Sequence, residues 1–266
     1  MRSNNMRCVL GVMVLSLIGF SAPVLAETPE EKGLAIAVED DKRDNGFVDY
    51  QAKMEMILKN RHGEQSARYL RTKNLEVKDD GDKSLVVFDK PRDVKGTALL
   101  NFTHKTGTDD QWLFLPALKR VKRISSANKS GSFMGSEFAY EDVTSQEVEK
   151  YTYKWIRDET LDGMECFVFE RYPAYKNSGY TRQVLWLDKK EYRQLKIDFY
   201  DRKNSLLKTQ TFRGYHQYLG KFWYPDEMFM QNHQSGKSTL LKWSDYKFKI
   251  GFKKRDFSKN SLKRAR

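Results

Sequence analysis

Histidines and paired carboxylates are the side chains of this sequence that could carry acid–base or metal chemistry. The 266 residues contain four histidines: His62, His104, His216 and His233. No two of them have the short spacing of metal-binding motifs, so no metal is expected, a zinc site assembled across strands being the alternative. The acidic pairs Asp109-Asp110 and Glu141-Asp142 are adjacent residues, whose side chains tend to point apart and stay hydrated.

Motifs for nucleophilic or nucleotide chemistry are also missing from the sequence. It contains no Gly-x-Ser-x-Gly elbow, no glycine-rich phosphate loop and no paired-cysteine motif. Cys166 lies in the apolar run Met164-Glu165-Cys166-Phe167-Val168-Phe169, which favours a buried, unreactive thiol over a nucleophile. The sequence therefore predicts a binding protein that is not an enzyme and needs no cofactor.

The first residues predict export. Arg2 and Arg7 form a basic head, residues 8–20 are apolar, and small residues lead to Ala26. This order is typical of a secretory signal peptide, residues 1–26, and the apolar run is too short for a permanent membrane anchor. A buried N-terminal helix is the alternative. Cleavage would leave a mature chain of residues 27–266, expected in the periplasm, with Cys166 as its single cysteine.

The formal charge of +12, from 48 Lys and Arg against 36 Asp and Glu, would suggest nucleic acid for a cytosolic protein. An exported chain rarely meets nucleic acid, so no such partner is expected. Residues 119–123 form a basic segment, for which anionic headgroups at a membrane surface, or an acidic partner, are better targets. Its candidate binding residues are Lys119, Arg120, Lys122 and Arg123. Plain solvated surface charge is the alternative interpretation.

The elements that must position any site are mostly strands. Thr28-Pro29-Glu30-Glu31 is a capping box that predicts one amphipathic helix ending near Asn45-Gly46. From residue 48 the apolar period changes to two, and about ten or eleven short strands follow. No linker or repeat interrupts them. The prediction is a single, mainly β domain, an antiparallel meander that curls into a barrel or half-barrel.

Residues 125–138 interrupt this pattern, because they are small and polar apart from Phe133, Met134 and Phe138. One interpretation is a surface loop whose aromatic side chains pack onto the barrel. The other is a mobile lid with few fixed contacts, which covers an apolar cavity and has Gly131 and Gly135 as hinges.

One block of the sequence resembles a known family. It runs Trp112-Leu113-Phe114-Leu115-Pro116-Ala117-Leu118-Lys119-Arg120-Val121-Lys122-Arg123-Ile124 and continues at Gly131-Ser132-Phe133-Met134-Gly135-Ser136-Glu137-Phe138. The block is similar to LolA-like outer-membrane lipoprotein-sorting proteins, and the likeness extends from Glu30 to Ser258. The resemblance implies an unclosed antiparallel β-barrel, a LolA/LolB-like half-barrel, with a few covering helices around an apolar cavity for acyl chains.

The resemblance also implies a function: a periplasmic carrier or acceptor of lipoproteins or phospholipid-like lipids for outer-membrane sorting. Relatives are associated with RND-type exporters, so an accessory exporter subunit without lipid cargo is the alternative. The strand alternation and the lid interpretation supply candidate acyl-binding residues. They are Met54, Met56, Leu100, Phe102, Trp112, Phe133, Met134, Phe138, Trp155, Phe167, Phe169, Ile197 and Phe199. Ordinary core packing would give the same period, so both roles stay open for each.

Overall fold

The computed structural model describes residues 26–264, so the predicted signal peptide, apart from Ala26, lies outside the described residues. Within these described residues, two α-helices, α1 (Pro29–Asp44) and α2 (Lys259–Arg264), accompany thirteen strands. The strands are β1 (Asp49–Lys59), β2 (Gln65–Leu75), β3 (Lys83–Lys90), β4 (Ala98–Phe102), β5 (Asp110–Leu115), β6 (Arg120–Ile124), β7 (Tyr151–Leu161), β8 (Met164–Pro173), β9 (Tyr180–Asp188), β10 (Gln194–Asp201), β11 (Leu206–Tyr218), β12 (Phe222–Asn232) and β13 (Ser238–Phe248). Neither described helix is long and apolar enough to cross a membrane.

All thirteen strands form one antiparallel sheet in the order β6-β5-β4-β3-β2-β1-β13-β12-β11-β10-β9-β8-β7. The end strands β6 and β7 do not pair with each other, which confirms the unclosed, mainly β fold. The predicted strand count was slightly low. Strand β6 was missed because three of its five residues are basic, a composition that indicates surface charge rather than a pleated strand.

Apolar side chains alternate between the two faces of the sheet. On β3, Val86 and Phe88 belong to the main core, whereas Leu85 and Val87 belong to a second cluster behind the sheet. The main core contains Ile36 and Ala37 of α1, so we call this side the inner face. The other side, the outer face, is covered at β4 to β6 by α2 and the C-terminal Phe257.

Helix α1 covers one edge of the sheet. Thr28 and Glu31 form the predicted capping box: the Glu31 amide donates to Thr28 Oγ1, and the Thr28 amide donates to Glu31 Oε2. Gly33 then lies directly against the backbone of edge strand β7, where a Cβ would be 2.7 Å from the Trp155 nitrogen. The missing side chain lets the helix sit close enough to protect that edge from pairing with another chain.

Residues 125–150 connect the two opposite ends of the sheet, from β6 to β7; we call them the crossover segment. Phe133 and Phe138 of this segment are 1% and 2% exposed and belong to the main core. The Phe133 ring packs against Phe88 of β3 at a centroid distance of 5.8 Å. The crossover segment thus fills one end of the inner face.

Candidate functional site

The other end of the inner face contains a cavity of about 600 Å³. It lies between α1 and the sheet, and the β2–β3 turn and the end of the crossover segment complete its walls. Its apolar side chains come mainly from β8, β9, β11 and β12: Phe169, Leu185, Phe212 and Met228. Ala37 faces them from α1. This volume falls in the range of pockets that hold small organic ligands.

Acidic side chains surround this apolar surface. The lining carboxylates are Asp40, Asp41, Asp44, Glu76, Asp79, Asp80, Asp82, Glu147 and Glu191, against the basic residues Arg43, Lys78, Lys105, Arg171, Arg193 and Lys221. Within the described part of the chain, Asp80 is the one carboxylate of this set in an ion pair, with His104 at 2.8 Å. The cavity is therefore amphipathic, and its polar part is more acidic than the strongly basic chain as a whole.

Hydrogen bonds hold several of these carboxylates in place. Glu76 accepts from the backbone amides of Gly46 at 2.7 Å and Val48 at 2.9 Å, just after α1 ends. The Tyr224 hydroxyl donates to Asp44 Oδ1 at 3.1 Å, and the Thr103 hydroxyl donates to Glu147 Oε1 at 2.7 Å. These bonds fix the end of α1 and the end of the crossover segment relative to the sheet.

Enclosure changes the acidity of two of the carboxyl groups. Desolvation, reinforced by the neighbouring Asp44 charge, raises the pKa of Asp40 to about 7. Desolvation also raises the pKa of Asp82 to about 7, against the effect of a hydrogen bond from the Val77 amide. Both groups therefore take up protons near neutral pH, and the cavity becomes less negative as the pH falls through this range.

Most candidate acyl-binding residues lie on the inner face, but only one lines the cavity. Phe169 is that residue. The others on this face are packed in or against the main core: Met54, Met56, Phe133, Met134, Phe138, Trp155, Phe167, Ile197 and Phe199. The sequence period identified the face of each strand; it could not tell filled from open parts of that face.

Three candidates lie on the opposite face from the cavity. Leu100 and Trp112 belong to the outer cluster with Phe257, and the Phe102 ring meets Trp112 at 5.2 Å. Their placement on the inner wall was wrong, because Leu99 and Leu113, one position away on the same strands, are the residues that enter the main core. All these positions are apolar, so alternation of polarity gave no phase for β4 and β5.

The basic segment is exposed, but its charges do not share one face or line the cavity. On β6, Ile124 enters the main core and Val121 packs against the outer cluster. Arg120 and Lys122 share the side of Ile124, whereas Arg123 shares that of Val121 and forms an ion pair with Asp110. Because a strand sends successive side chains to opposite faces, these charges form no single basic face, and none of them lines the cavity.

The crossover segment has many fixed contacts, contrary to the lid interpretation. Lys208 Nζ lies 2.6 Å from Asp142 Oδ2, with both side chains 5% exposed or less, and also donates to the Glu137 carbonyl at 2.7 Å. Glu141 accepts from the Ser178 hydroxyl at 2.9 Å and from the Gly179 amide at 2.8 Å. Small polar residues here make internal bonds rather than a loose backbone.

The residues considered for catalysis or metal binding are dispersed. Among residues 26–264 no group of three or more His, Cys, Asp or Glu side chains is arranged to hold a metal ion. Cys166 is fully buried, as predicted, and desolvation raises the pKa of its thiol. His104 contacts Asp80, and His216 Nε2 lies 2.8 Å from Asp226 Oδ2 at the surface.

Known proteins are similar to this chain in sequence and in the fold of the sheet. A family model described as "Uncharacterized protein" matches residues 80–264. A crystal structure from Vibrio parahaemolyticus, described as an outer membrane lipoprotein-sorting protein domain, is 60% identical with a TM-score of 0.86, covering 88% of this chain and 99% of that chain. The chain belongs to the LolA-like family of outer-membrane lipoprotein-sorting proteins.

Two more distant structures extend the LolA-like comparison. A DUF1329 family protein from Desulfovibrio piger is 32% identical with a TM-score of 0.84, covering 88% of this chain and 99% of that chain. A LolA superfamily protein from Nitrosomonas europaea has the same fold at 21% identity and a TM-score of 0.69, covering 86% and 98% of the two chains. No curated protein matches the chain.

The residues that sequence reasoning missed are the polar ones of this LolA-like cavity. Asp40 and Asp44 follow the helical period of α1, and Asp82 lies in a turn that looks like an ordinary hydrated one. Trp223 and Tyr224 come from β12, far along the chain. The clustering of acids in the capped helix and in the β2–β3 turn was visible, but nothing in their spacing indicated a common cavity.

Proposed function

We propose that the protein binds the acyl chains of a lipoprotein or a related lipid in the cavity beneath α1. In this proposal it acts in the periplasm as a carrier or acceptor for sorting to the outer membrane. The observation that carries the proposal is the half-open cavity of about 600 Å³, which has apolar side chains in its wall. Membership of the LolA-like family and the predicted signal peptide support the cargo class and the compartment.

The physical reason is the cost of moving an acyl chain through water. Each exposed methylene group costs about 0.8 kcal/mol, so a soluble carrier has to cover the chain. Half-buried Phe212 and Met228 supply accessible apolar surface to the cavity, whereas Phe169 and Leu185, each 1% exposed, are packed into the wall behind it. The Met228 side chain can adapt to ligands of varied shape. The acidic residues around this apolar surface leave the polar end of a ligand in contact with water and charge.

The experiment compares two substitutions at adjacent positions of β12. Met228 lines the cavity, whereas Phe229 is 38% exposed and does not. The protein is purified from the bacterial envelope, and bound lipid is measured by native mass spectrometry and solvent extraction. We expect Met228→Trp to fill the cavity and to reduce co-purifying acyl species at least fivefold, while Phe229→Trp leaves them within twofold of the unmodified protein.

Two outcomes would contradict the proposal. Equal lipid content in Met228→Trp and Phe229→Trp would place the ligand outside this cavity. Unmodified protein that carries no acyl species, and takes up none from vesicles, would favour the alternative role of an accessory subunit of an RND-type exporter without lipid cargo. Thermal unfolding of both variants checks that a loss of lipid is not a loss of fold.

A further inference from the structure

The two edge strands of the sheet, β6 and β7, differ in what covers them. The β7 edge is covered by α1, whose Gly33 touches the β7 backbone. The β6 edge has β5 on one side and, in the described structure, no strand or helix along the other; α2 contacts β6 from the outer face. An open edge presents backbone groups that can pair with another strand.

The backbone of β6 has the groups that strand pairing needs. Its five residues pair with β5 from Gln111↔Ile124 to Leu115↔Arg120. In an antiparallel pair, alternate residues direct their N–H and C=O groups away from the partner. No described residue outside β5 takes a backbone hydrogen bond from residues 120–124. The outward groups of β6 are therefore open to solvent or to another chain.

The side chains at this edge carry unneutralised positive charge. Lys119, Arg120 and Lys122 are exposed, and no described carboxylate forms an ion pair with any of them. Arg123 differs, because Asp110 neutralises it. Charged residues on an edge strand commonly prevent it from pairing with other chains, and at this edge the charges without an ion pair are all positive.

These positive charges disfavour a second copy of this chain as the partner. Two β6 strands related by a two-fold axis would bring Arg120 and Lys122 of one copy opposite the same residues of the other. Like charges directly across an antiparallel pair are destabilising. An extended segment with acidic residues at alternate positions would instead meet opposite charges while completing the hydrogen-bond ladder.

We propose that β6 is a docking strand, to which a partner protein adds an extended acidic segment as a fourteenth strand of the sheet. Backbone hydrogen bonds would supply affinity, and Arg120 and Lys122 would select acidic residues, as in other strand-addition complexes. The proposal is independent of the lipid cavity, because β6 contributes no residue to the cavity lining.

The test uses a fluorescein-labelled nine-residue peptide of alternating Val and Glu as the probe. Binding to the unmodified protein is followed by fluorescence anisotropy, and amide hydrogen exchange locates the site. We expect exchange of residues 120–124 to slow at least fivefold with the peptide. A matched Val–Lys peptide, and two Val–Glu peptides N-methylated at alternate residues in either register, separate charge from backbone pairing. At least one N-methylated register should bind tenfold or more weakly.

A charge reversal in the protein tests selectivity. Arg120→Glu combined with Lys122→Glu should weaken Val–Glu peptide binding at least tenfold and improve Val–Lys binding. The control, Lys203→Glu with Lys237→Glu, makes the same charge change at two exposed lysines remote in the sheet order and should change binding less than twofold.

Three results would overturn the proposal. One is equal binding of the N-methylated and unmodified peptides, which would leave only general electrostatic attraction. The second is slowed exchange elsewhere in the sheet but not in residues 120–124, or no binding. The third is slowed exchange in β6 with phosphatidylglycerol vesicles but not with the peptide, which would make this edge a membrane contact.

Discussion

The inner face of the sheet is filled at one end and open at the other, and the two ends differ in an unexpected way. The crossover segment is rich in serine and glycine, yet it fills its end with Phe133 and Phe138 and fixes them with buried charges. The end with the cavity is covered by α1, a regular helix with a capping box, and is nevertheless not filled.

The difference shows that polarity and packing are separate properties of a segment. The crossover segment satisfies its own polar groups: Ser136 Oγ donates to the Phe133 carbonyl at 2.7 Å, and Tyr180 donates to Asp142 at 2.9 Å. Satisfied polar groups can be buried at little cost. Helix α1 instead directs carboxylates toward the cavity without cationic partners, which opposes close packing there.

The largest effect is expected from breaking the buried ion pair of the filled end. Asp142→Ala leaves Lys208 buried without its carboxylate, and removing one partner of such a pair costs about 3–5 kcal/mol. Urea unfolding measures this loss. Glu227→Ala removes the partner of exposed Lys242 and should cost less than about 1 kcal/mol. Equal losses for both variants would show that the filled end does not depend on this pair.

The second prediction compares one phenylalanine from each end. Phe133→Ala should lower the free energy of unfolding by about 3–4 kcal/mol, because it opens a hole in the core. Phe212→Ala, in the half-buried cavity wall, should cost about half as much and should change lipid binding more than Phe133→Ala does. Calorimetry and lipid-exchange assays separate the two effects. Altered lipid exchange with unchanged stability in Phe133→Ala would instead support a gate at the crossover segment.

The third prediction concerns how the open end is covered. Gly33→Ala improves helix propensity but places a Cβ against the β7 backbone, and overpacking of this kind costs about 1–3 kcal/mol. We therefore expect a net loss of stability and faster amide exchange in α1. Leu34→Ala, on the exposed side of the same helix, should change stability by about 0.5 kcal/mol or less. A stabilised Gly33→Ala variant would mean that α1 does not rest on β7 this closely.

The smallest effect should depend on pH. Because the pKa of Asp40 is raised to about 7, the folded state binds more protons than the unfolded state between about pH 4 and 7. The free energy of unfolding therefore falls as the pH rises through this window. Asp40 is only half-buried, so water screens part of this penalty. Asp40→Asn should therefore stabilise the protein by on the order of 1 kcal/mol at pH 8 and not at pH 4. An equal gain at both pH values would contradict a titration effect.

Much of the fold could be predicted from local patterns, and the site could not. The capping box at Thr28 and the period-two strands depend on neighbours in sequence, so they were recognisable. The charged strand β6 was hidden because its pairing with β5 follows from the hairpin rather than from its own composition. The cavity combines Asp40, Asp82 and Met228 from elements that are distant in sequence, and only the completed fold brings them together.

The sheet order also determines when the molecule can be completed during synthesis. Strand β1 pairs with β13, so Tyr50 meets Phe248 at the centre of the sheet, while the strands from the middle of the sequence form its edges. Each half of the sheet can form from local hairpins, but the central β1–β13 pair cannot form until β13 has been synthesised. Such a non-local pairing is expected to be late and slow. Until then β1 is an open edge strand that is paired only with β2, so the nascent N-terminal half depends most on protection from aggregation.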